Sequence, residues 1–409
     1  MVDQTSDAAA TRAADRAADL RARLVALAAT EPDVPAFRET DVQIVRAPGR
    51  VNLIGEYTDF NLGFVLPAAI DLEIWIALVP WDRREVRLTS AEMAETRSFS
   101  FDGLTRPDGP ERTWIDYVAA TAWAMAEAGL PTRGFRGVMN STVPVGSGLS
   151  SSAALEMASS WALAVPGAPR PGPERIAAIG QRGENAFVGV NCGIMDQFAS
   201  AAGKADHALL IDCRSNTFTA APLPRHLSLV VCDTSAPRRL GSSAYNTRRE
   251  ECETAVRIIA EREPGVSSLR DVSVAMFERN RDRLPDVVSR RAEHVVREDE
   301  RVLEAVAALA ADDLPAVGRL FAASHDSLRD LFEVSCAELD TMVDIARAVP
   351  GVAACRMTGA GFGGCTVNLV ERGREEDLRR AVLSEYPRRT GLAPKVHVVS
   401  AVDGAGPLA

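Results

Sequence analysis

Pro144-Val-Gly-Ser-Gly-Leu-Ser-Ser-Ser-Ala153 runs without a break into the apolar stretch Ala154-Leu-Glu-Met-Ala158, and this junction decides how the 409-residue chain is read. Gly146 and Gly148 let a backbone come close to a ligand. Ser150, Ser151 and Ser152 set hydroxyls and N–H groups at the start of a helical pattern, where the helix dipole favours an anion. Taken alone, the segment also reads as an ordinary serine N-cap on a core helix. A Walker loop would need GxxxxGKS/T, and the chain holds only Lys204 and Lys395. The charge of a bound ATP must then be met by Mg2+, the helix dipole and arginine.

Upstream of this loop, 135–140 reads as a strand and 115–128 as a helix. Further upstream, 42–79 alternates as strand, Gly/Asn-rich loop and strands. Downstream, 175–187 reads as a helix, 208–212 and 227–233 as strands, and 247–262, 292–311, 314–332 and 335–348 as long helices, with a last strand at 396–399. Pro222 and Pro224 mark 217–224 as a boundary. The chain then divides into an N-terminal helix (1–35), a first domain (36–222) and a second (223–409). In the N-terminal helix, Leu20, Leu24 and Leu27 fall at i, i+4 and i+7 as one apolar docking stripe.

A second glycine run, Met357-Thr-Gly-Ala-Gly-Phe-Gly-Gly-Cys-Thr366, contains GxGxxG at Gly359, Gly361 and Gly364. The residues after it, CTVNLV, alternate as a strand instead of opening a helix, which excludes a dinucleotide fingerprint. The run reads either as a loop built for close approach to substrate and phosphate or as a tight structural turn. Arg50, Glu56 and Asp59 share a Gly/Asn-rich loop, where carboxylates suit paired O–H donors; surface salt bridging is the plain alternative. Asp196 sits in an apolar stretch where an unpaired carboxylate is costly to bury, so it requires a partner or a chemical role. Glu184 with a serine hydroxyl fits an oxygen-ligand pair for Mg2+. His294 and His325, in charged helices, read as surface or structural residues, and the seven cysteines read as packing residues.

Composition excludes several classes of function. A net charge of −10 repels nucleic acid and anionic membrane. No apolar run approaches the roughly 18 residues of a membrane span. An odd number of cysteines without a CxxC pair points to a reduced, cytoplasmic protein, expected as a monomer or weak homo-oligomer.

Three segments together, GRVNLIGEYTDFNLGFVLP, VPVGSGLSSSAALEMA and MTGAGFGGCTV, resemble the signature motifs of the GHMP small-molecule kinase superfamily, the first in its galactokinase form. Further matches are NCGIMDQFAS, RRLGSSAYNTRRE, and RRAEHVVREDERVLEA with SHDSLRDLFEVSCAELD, so the resemblance extends over about 45–370. It implies a two-domain α/β (α+β) fold, with a first domain like the second domain of ribosomal protein S5 and a ferredoxin-like second domain. It implies ATP-dependent phosphorylation of the anomeric hydroxyl of galactose. Asp196 would be the base and Arg50 its partner, stabilising the transferring charge. Glu56, Tyr57, Thr58, Asp59, Gly193 and Tyr245 would meet the sugar. Gly146, Ser147, Gly148, Leu149, Ser150, Ser151, Ser152 and Ala153 would hold ATP, with Trp114 at the adenine, and Ser152 and Glu184 would hold Mg2+. The family usually has His, Tyr and Glu where this chain has Tyr57, Phe60 and Ala244. Those departures keep a 1-kinase for N-acetylgalactosamine, arabinose or a uronic acid in view, while a silent sugar and ATP sensor, which would tend to lose phosphate-loop residues or the base, is disfavoured by the presence of Ser150, Ser151, Ser152, Glu184 and Asp196.

Overall fold

The computed structural model describes residues 4–31, 33–34, 36–107, 112–144, 146–237 and 241–408. Val145 of the phosphate loop and Arg238, Arg239 and Leu240 of the RRLGSSAYNTRRE segment lie outside the described residues.

The first part of the chain runs α1 (Gln4–Ala28), β1 (Gln43–Asn52), β2 (Phe64–Val65), β3 (Pro67–Trp81), β4 (Glu85–Ser90), β5 (Glu95–Ser100), α2 (Trp114–Glu127), β6 (Gly134–Ser141), α3 (Ser151–Ala162), α4 (Pro173–Gly183), α5 (Met195–Ala202), β7 (His207–Asp212) and β8 (Thr217–Pro222). The second continues with β9 (Leu227–Asp233), α6 (Gly241–Ala260), α7 (Val274–Asn280), α8 (Asp286–Ala310), α9 (Leu314–Asp330), α10 (Ala337–Arg347), β10 (Val352–Thr358), β11 (Cys365–Glu371), α11 (Glu375–Thr390), β12 (Lys395–Val399) and β13 (Gly406–Pro407).

Six strands form the first sheet in the order β13-β1-β3-β6-β4-β5. The near-continuous apolar run of β3 reflects burial of both of its faces. Ile74, Ile76 and Leu78 point into the core shared with α2 and α3, while Trp75, Ala77 and Val79 point to the other side. There Leu20 and Leu24 of α1, both fully buried, cover them, so the leucine stripe docks as its spacing predicts. Arg16 locks this contact by stacking on Trp75 and donating to Asn140 Oδ1 at 2.8 Å.

The second sheet is antiparallel, in the order β10-β11-β9-β12. Taken in chain order its strands stand 2-3-1-4, with helices between the first and second and between the third and fourth, which is the ferredoxin-like arrangement. The proline-marked segment 217–224 lies just ahead of β9 of the second sheet and is itself mostly strand. Thr217–Pro222 is strand β8, an edge strand paired with β7, where a proline is tolerated. The chain also crosses back after β12, because β13 pairs with β1 of the first sheet. Lys204 lies exposed beside the first sheet and Lys395 exposed on the second.

Candidate active site

A β-bulge between Pro48 and Gly49 re-aims the end of β1, so that Arg50 turns inward and is only 4 % exposed. Its backbone N–H donates to Leu149 O at 3.1 Å and its Nη1 to Gly148 O at 2.6 Å, fastening the phosphate loop to β1. The guanidinium also donates in a fork to Asp196, Nε to Oδ1 and Nη2 to Oδ2, each at 2.8 Å. Ser150 holds φ 62°, unusual for a residue with a Cβ, and its hydroxyl does not cap α3. It donates instead to Asp196 Oδ2 at 2.5 Å, so the serine N-cap reading is set aside at this position. Arg50, Ser150 and Asp196, drawn from β1, the loop before α3 and the first turn of α5, therefore meet at one carboxylate. That carboxylate keeps about a third of its surface open, at 29 % exposure.

Behind it lies an acidic nest. Glu184 opens a π-turn at the end of α4, a local irregularity, and its buried side chain lies near Ser152, which favours its ionised form. Gln197 Nε2 bridges two carboxylates, donating to Glu184 Oε2 at 2.6 Å and to Glu156 Oε2 at 3.0 Å. Burial raises the pKa of both glutamates, and the proximity of Asp196 raises each further. The Cys192 thiol donates to Glu184 and Asn185; burial and Glu184 push its pKa well up, which makes it a packing group and not a nucleophile.

In front of Asp196 opens a cavity of ≈ 330 Å³, within the size range of a small-molecule site. Arg50, Glu56, Tyr57, Asp59, Gly193, Asp196 and Tyr245 line it together with Gly359, Ala360 and Gly361. Asp59 is buried; burial first, and then the charge of Asp196, raise its pKa to about 6. Its Oδ1 accepts the Phe60 N–H at 2.9 Å. A Cβ on Gly193 would stand 1.8 Å from Asp59 Oδ2, so only glycine fits opposite this carboxylate. Tyr57, at φ 68°, donates its hydroxyl to Ala360 O at 2.6 Å and packs against Tyr245 and Phe332, with ring centroids 5.4 and 4.5 Å apart. The second glycine run thus reaches the site: Gly359 stands so close to the phosphate loop that a Cβ there would lie 2.9 Å from Gly148 O.

Not every expected residue reaches the cavity. Thr58 is fully buried inside its own loop, its hydroxyl between the carbonyls of Gly55 and Phe64 at 2.8 and 2.6 Å. Of the residues expected at the nucleotide instead, Ser147 bonds back to Pro144 O at 2.8 Å and Trp114 donates its indole N–H to Glu95 Oε2 at 2.9 Å.

Sequence reasoning did not single out Arg356, Glu298, Glu156 or Gln197. Arg356 pairs closely with Glu56, and Glu298 lies 3.9 Å beyond it. His294 is wholly buried and uncharged at neutral pH, since burial lowers its pKa to about 4. One ring nitrogen meets Ser327 Oγ at 2.8 Å and the other Glu56 O at 3.2 Å, so its role is structural.

The galactokinase galactose-binding signature matches residues 35–80, the GHMP kinase N-terminal domain 116–204 and the GHMP kinase C-terminal domain 305–388. A galactokinase of Roseiflexus sp. (strain RS-1) is 46% identical over 363 residues, covering 89% of this chain and 92% of the relative. One of Chloroflexus aggregans is 44% identical over 370 residues, covering 90% and 94%. The crystal structure of Lactococcus lactis galactokinase complexed with galactose superposes with a TM-score of 0.83 at 33% identity, covering 90% of this chain and 95% of that one. With the two-unit GHMP fold and an arginine–aspartate pair between its phosphate loop and its cavity, this chain belongs to the galactokinase family.

Proposed function

We propose that the protein transfers the γ-phosphoryl group of ATP to the anomeric hydroxyl of galactose. One observation carries the reading. Asp196 stands between the cavity that fits a hexose and the serine-rich loop that fits a triphosphate, gripped by Arg50 and Ser150.

In this mechanism the sugar's O1–H donates to Asp196, which takes the proton as O1 attacks the γ-phosphorus. The O1–P bond forms, the bond from the γ-phosphorus to the β,γ-bridging oxygen breaks, and ADP leaves. Arg50 orients the carboxylate with a fork that no lysine reproduces and carries positive charge to the place where negative charge moves. The orphan N–H groups at the start of α3, with Ser151 and Ser152, face the phosphates. Asp59 and Glu56 accept sugar hydroxyls, and the glycines at 193 and 359 keep the two loops close enough to do so.

The residues fit a Mg2+ ion. Ser152 and Glu184 are neighbouring hard oxygen donors. On top of burial, the proximity of Asp196 raises the pKa of Glu184, and Glu156 shares its bridge through Gln197, a build-up of negative charge that a cation relieves. Among the described residues no group of three His, Cys, Asp or Glu could hold a metal by itself, in keeping with an ion that takes its other ligands from phosphate and water. When bound, Mg2+ supplies charge neutralisation on the phosphate oxygens.

The seven cysteines form no disulfide among the described residues, which suits a reducing cytoplasm, and no described helix is long and apolar enough to cross a membrane.

The test is ADP release, coupled to a dehydrogenase readout, across galactose, N-acetylgalactosamine, arabinose and galacturonic acid, with the product's phosphate located by NMR. Turnover on galactose yielding the 1-phosphate is expected. No ADP on galactose alongside turnover on another sugar would refute the substrate.

A further inference from the structure

We infer that Arg356 is a positioning residue for sugar recognition, acting through Glu56 without touching the sugar. The inference rests on the reading that Glu56 accepts a sugar hydroxyl. Arg356 sits on β10, is 0 % exposed and is absent from the cavity lining, whereas Glu56 reaches the cavity from the β1–β2 loop. The two residues are 300 positions apart and belong to different units of the fold, yet their guanidinium and carboxylate are in close contact. Arg356 Nη1 donates to Leu53 O at 3.0 Å, and Gly359 N–H donates to Glu56 Oε1 at 3.1 Å. Both ends of the Glu56 side chain's setting are therefore dictated from β10 and the glycine loop after it.

Burial alone pushes the Glu56 carboxyl toward its protonated form, and Arg356 opposes this. A protonated carboxyl offers a sugar hydroxyl fewer acceptor sites than an ionised one. The charge on Arg356 is itself balanced from behind. Glu298 Oε1 lies 3.9 Å from it and accepts from Ser324 Oγ at 2.5 Å and Gly55 N–H at 3.1 Å, while Glu298 Oε2 accepts from Arg301 Nε at 2.7 Å. Four alternating charges thus lead from the surface of α8 to the cavity wall. A strut needed only for packing is at least as stable when built from apolar side chains, because desolvating ions offsets most of their attraction. Only the carboxylate at the cavity end of this row faces the site.

The experiment is a double-mutant cycle on the full chain with Glu56→Gln, Arg356→Lys and both together, with Arg356→Met as the stronger variant. Galactose KM, ATP KM, kcat, galactose affinity by calorimetry and thermal midpoint are read for each. Either single change is expected to raise galactose KM by about tenfold to a hundredfold, the span for losing a charge-assisted hydrogen bond, with ATP KM within about twofold. Arg356→Lys should be the milder of the two arginine variants, and the double variant should bind galactose no worse than Glu56→Gln alone. Losses that add in the double variant, or an Arg356→Lys enzyme with unchanged galactose KM beside an impaired Glu56→Gln, overturn the inference. Should Glu56→Gln itself leave galactose KM unchanged, the sugar-contact reading of Glu56 fails first. If Arg356→Met does not fold, the lysine variant completes the cycle.

Discussion

Replacing Asp59 by Asn should make the protein more stable while depriving it of its sugar. The Asp59 carboxyl titrates near 3.8 when exposed and at about 6 in the folded chain. Whatever this group contributes to stability is present below pH 3.8 and lost as pH rises through about 6, because the folded state alone then holds an ionised group it disfavours. The difference between 3.8 and about 6 corresponds to about 3 kcal/mol at pH 7.5 and roughly half that at pH 5. Asparagine removes this cost but offers one acceptor oxygen where aspartate offers two, a loss of about 1 kcal/mol. Asp59→Asn should therefore gain about 2 kcal/mol in urea unfolding at pH 7.5 and less than about 1 kcal/mol at pH 5. Galactose affinity, measured by calorimetry, should fall about a hundredfold as the charged acceptor disappears. In the native enzyme the same ionisation makes galactose KM rise as pH drops below about 6. A variant no more stable at either pH would show that burial does not strain Asp59, and one that keeps its galactose affinity would show that Asp59 does not meet the sugar.

The geometry sets three further outcomes. Gly193→Ala drives a methyl group to 1.8 Å from Asp59 Oδ2 and should abolish galactose binding while nucleotide affinity, tracked by fluorescence of a labelled ATP analogue, is retained. Glu184→Gln should shift the Mg2+ concentration for half-maximal rate upward by about tenfold or more, read by titrating Mg2+ at fixed ATP. Leu24→Ala empties a fully buried position between α1 and the first sheet and should cost about 3 kcal/mol of stability, with kcat and both KM values unchanged.

The sequence made some of this site legible and hid the rest for a physical reason. Glycines at Gly146, Gly148 and Gly359, and serines ahead of an apolar helix, are local patterns that point to a ligand before any fold is known. The leucine stripe of α1 and the two-faced run of β3 are read from periodicity in the same way. Asp196 announced itself only as a carboxylate among apolar neighbours; that its partner is Arg50, 146 residues earlier, came from the family resemblance and then from the structure. Arg356 and Glu298 gave no such signal. Each lies in a segment whose local pattern is complete without it, and the Glu56–Arg356 contact exists only once the second unit packs on the first. Glu156 shows the same limit from inside a recognised motif, since its helical spacing fits a surface glutamate and only the tertiary fold buries it beside Glu184. At 217–224 the proline pair marked the segment but not its form, since a proline suits an edge strand such as β8 as well as a loop.

The scarcity of lysine offers a practical handle. Apart from the α-amino group, an amine-reactive dye has two side chains to find, Lys204 beside the first sheet and Lys395 on the second, both exposed and neither lining the cavity. The native chain therefore carries one label point on each side of its cleft. Energy transfer between a donor and an acceptor placed there would report, in real time and without engineered cysteines, whether the distance between the two units changes as sugar and nucleotide arrive.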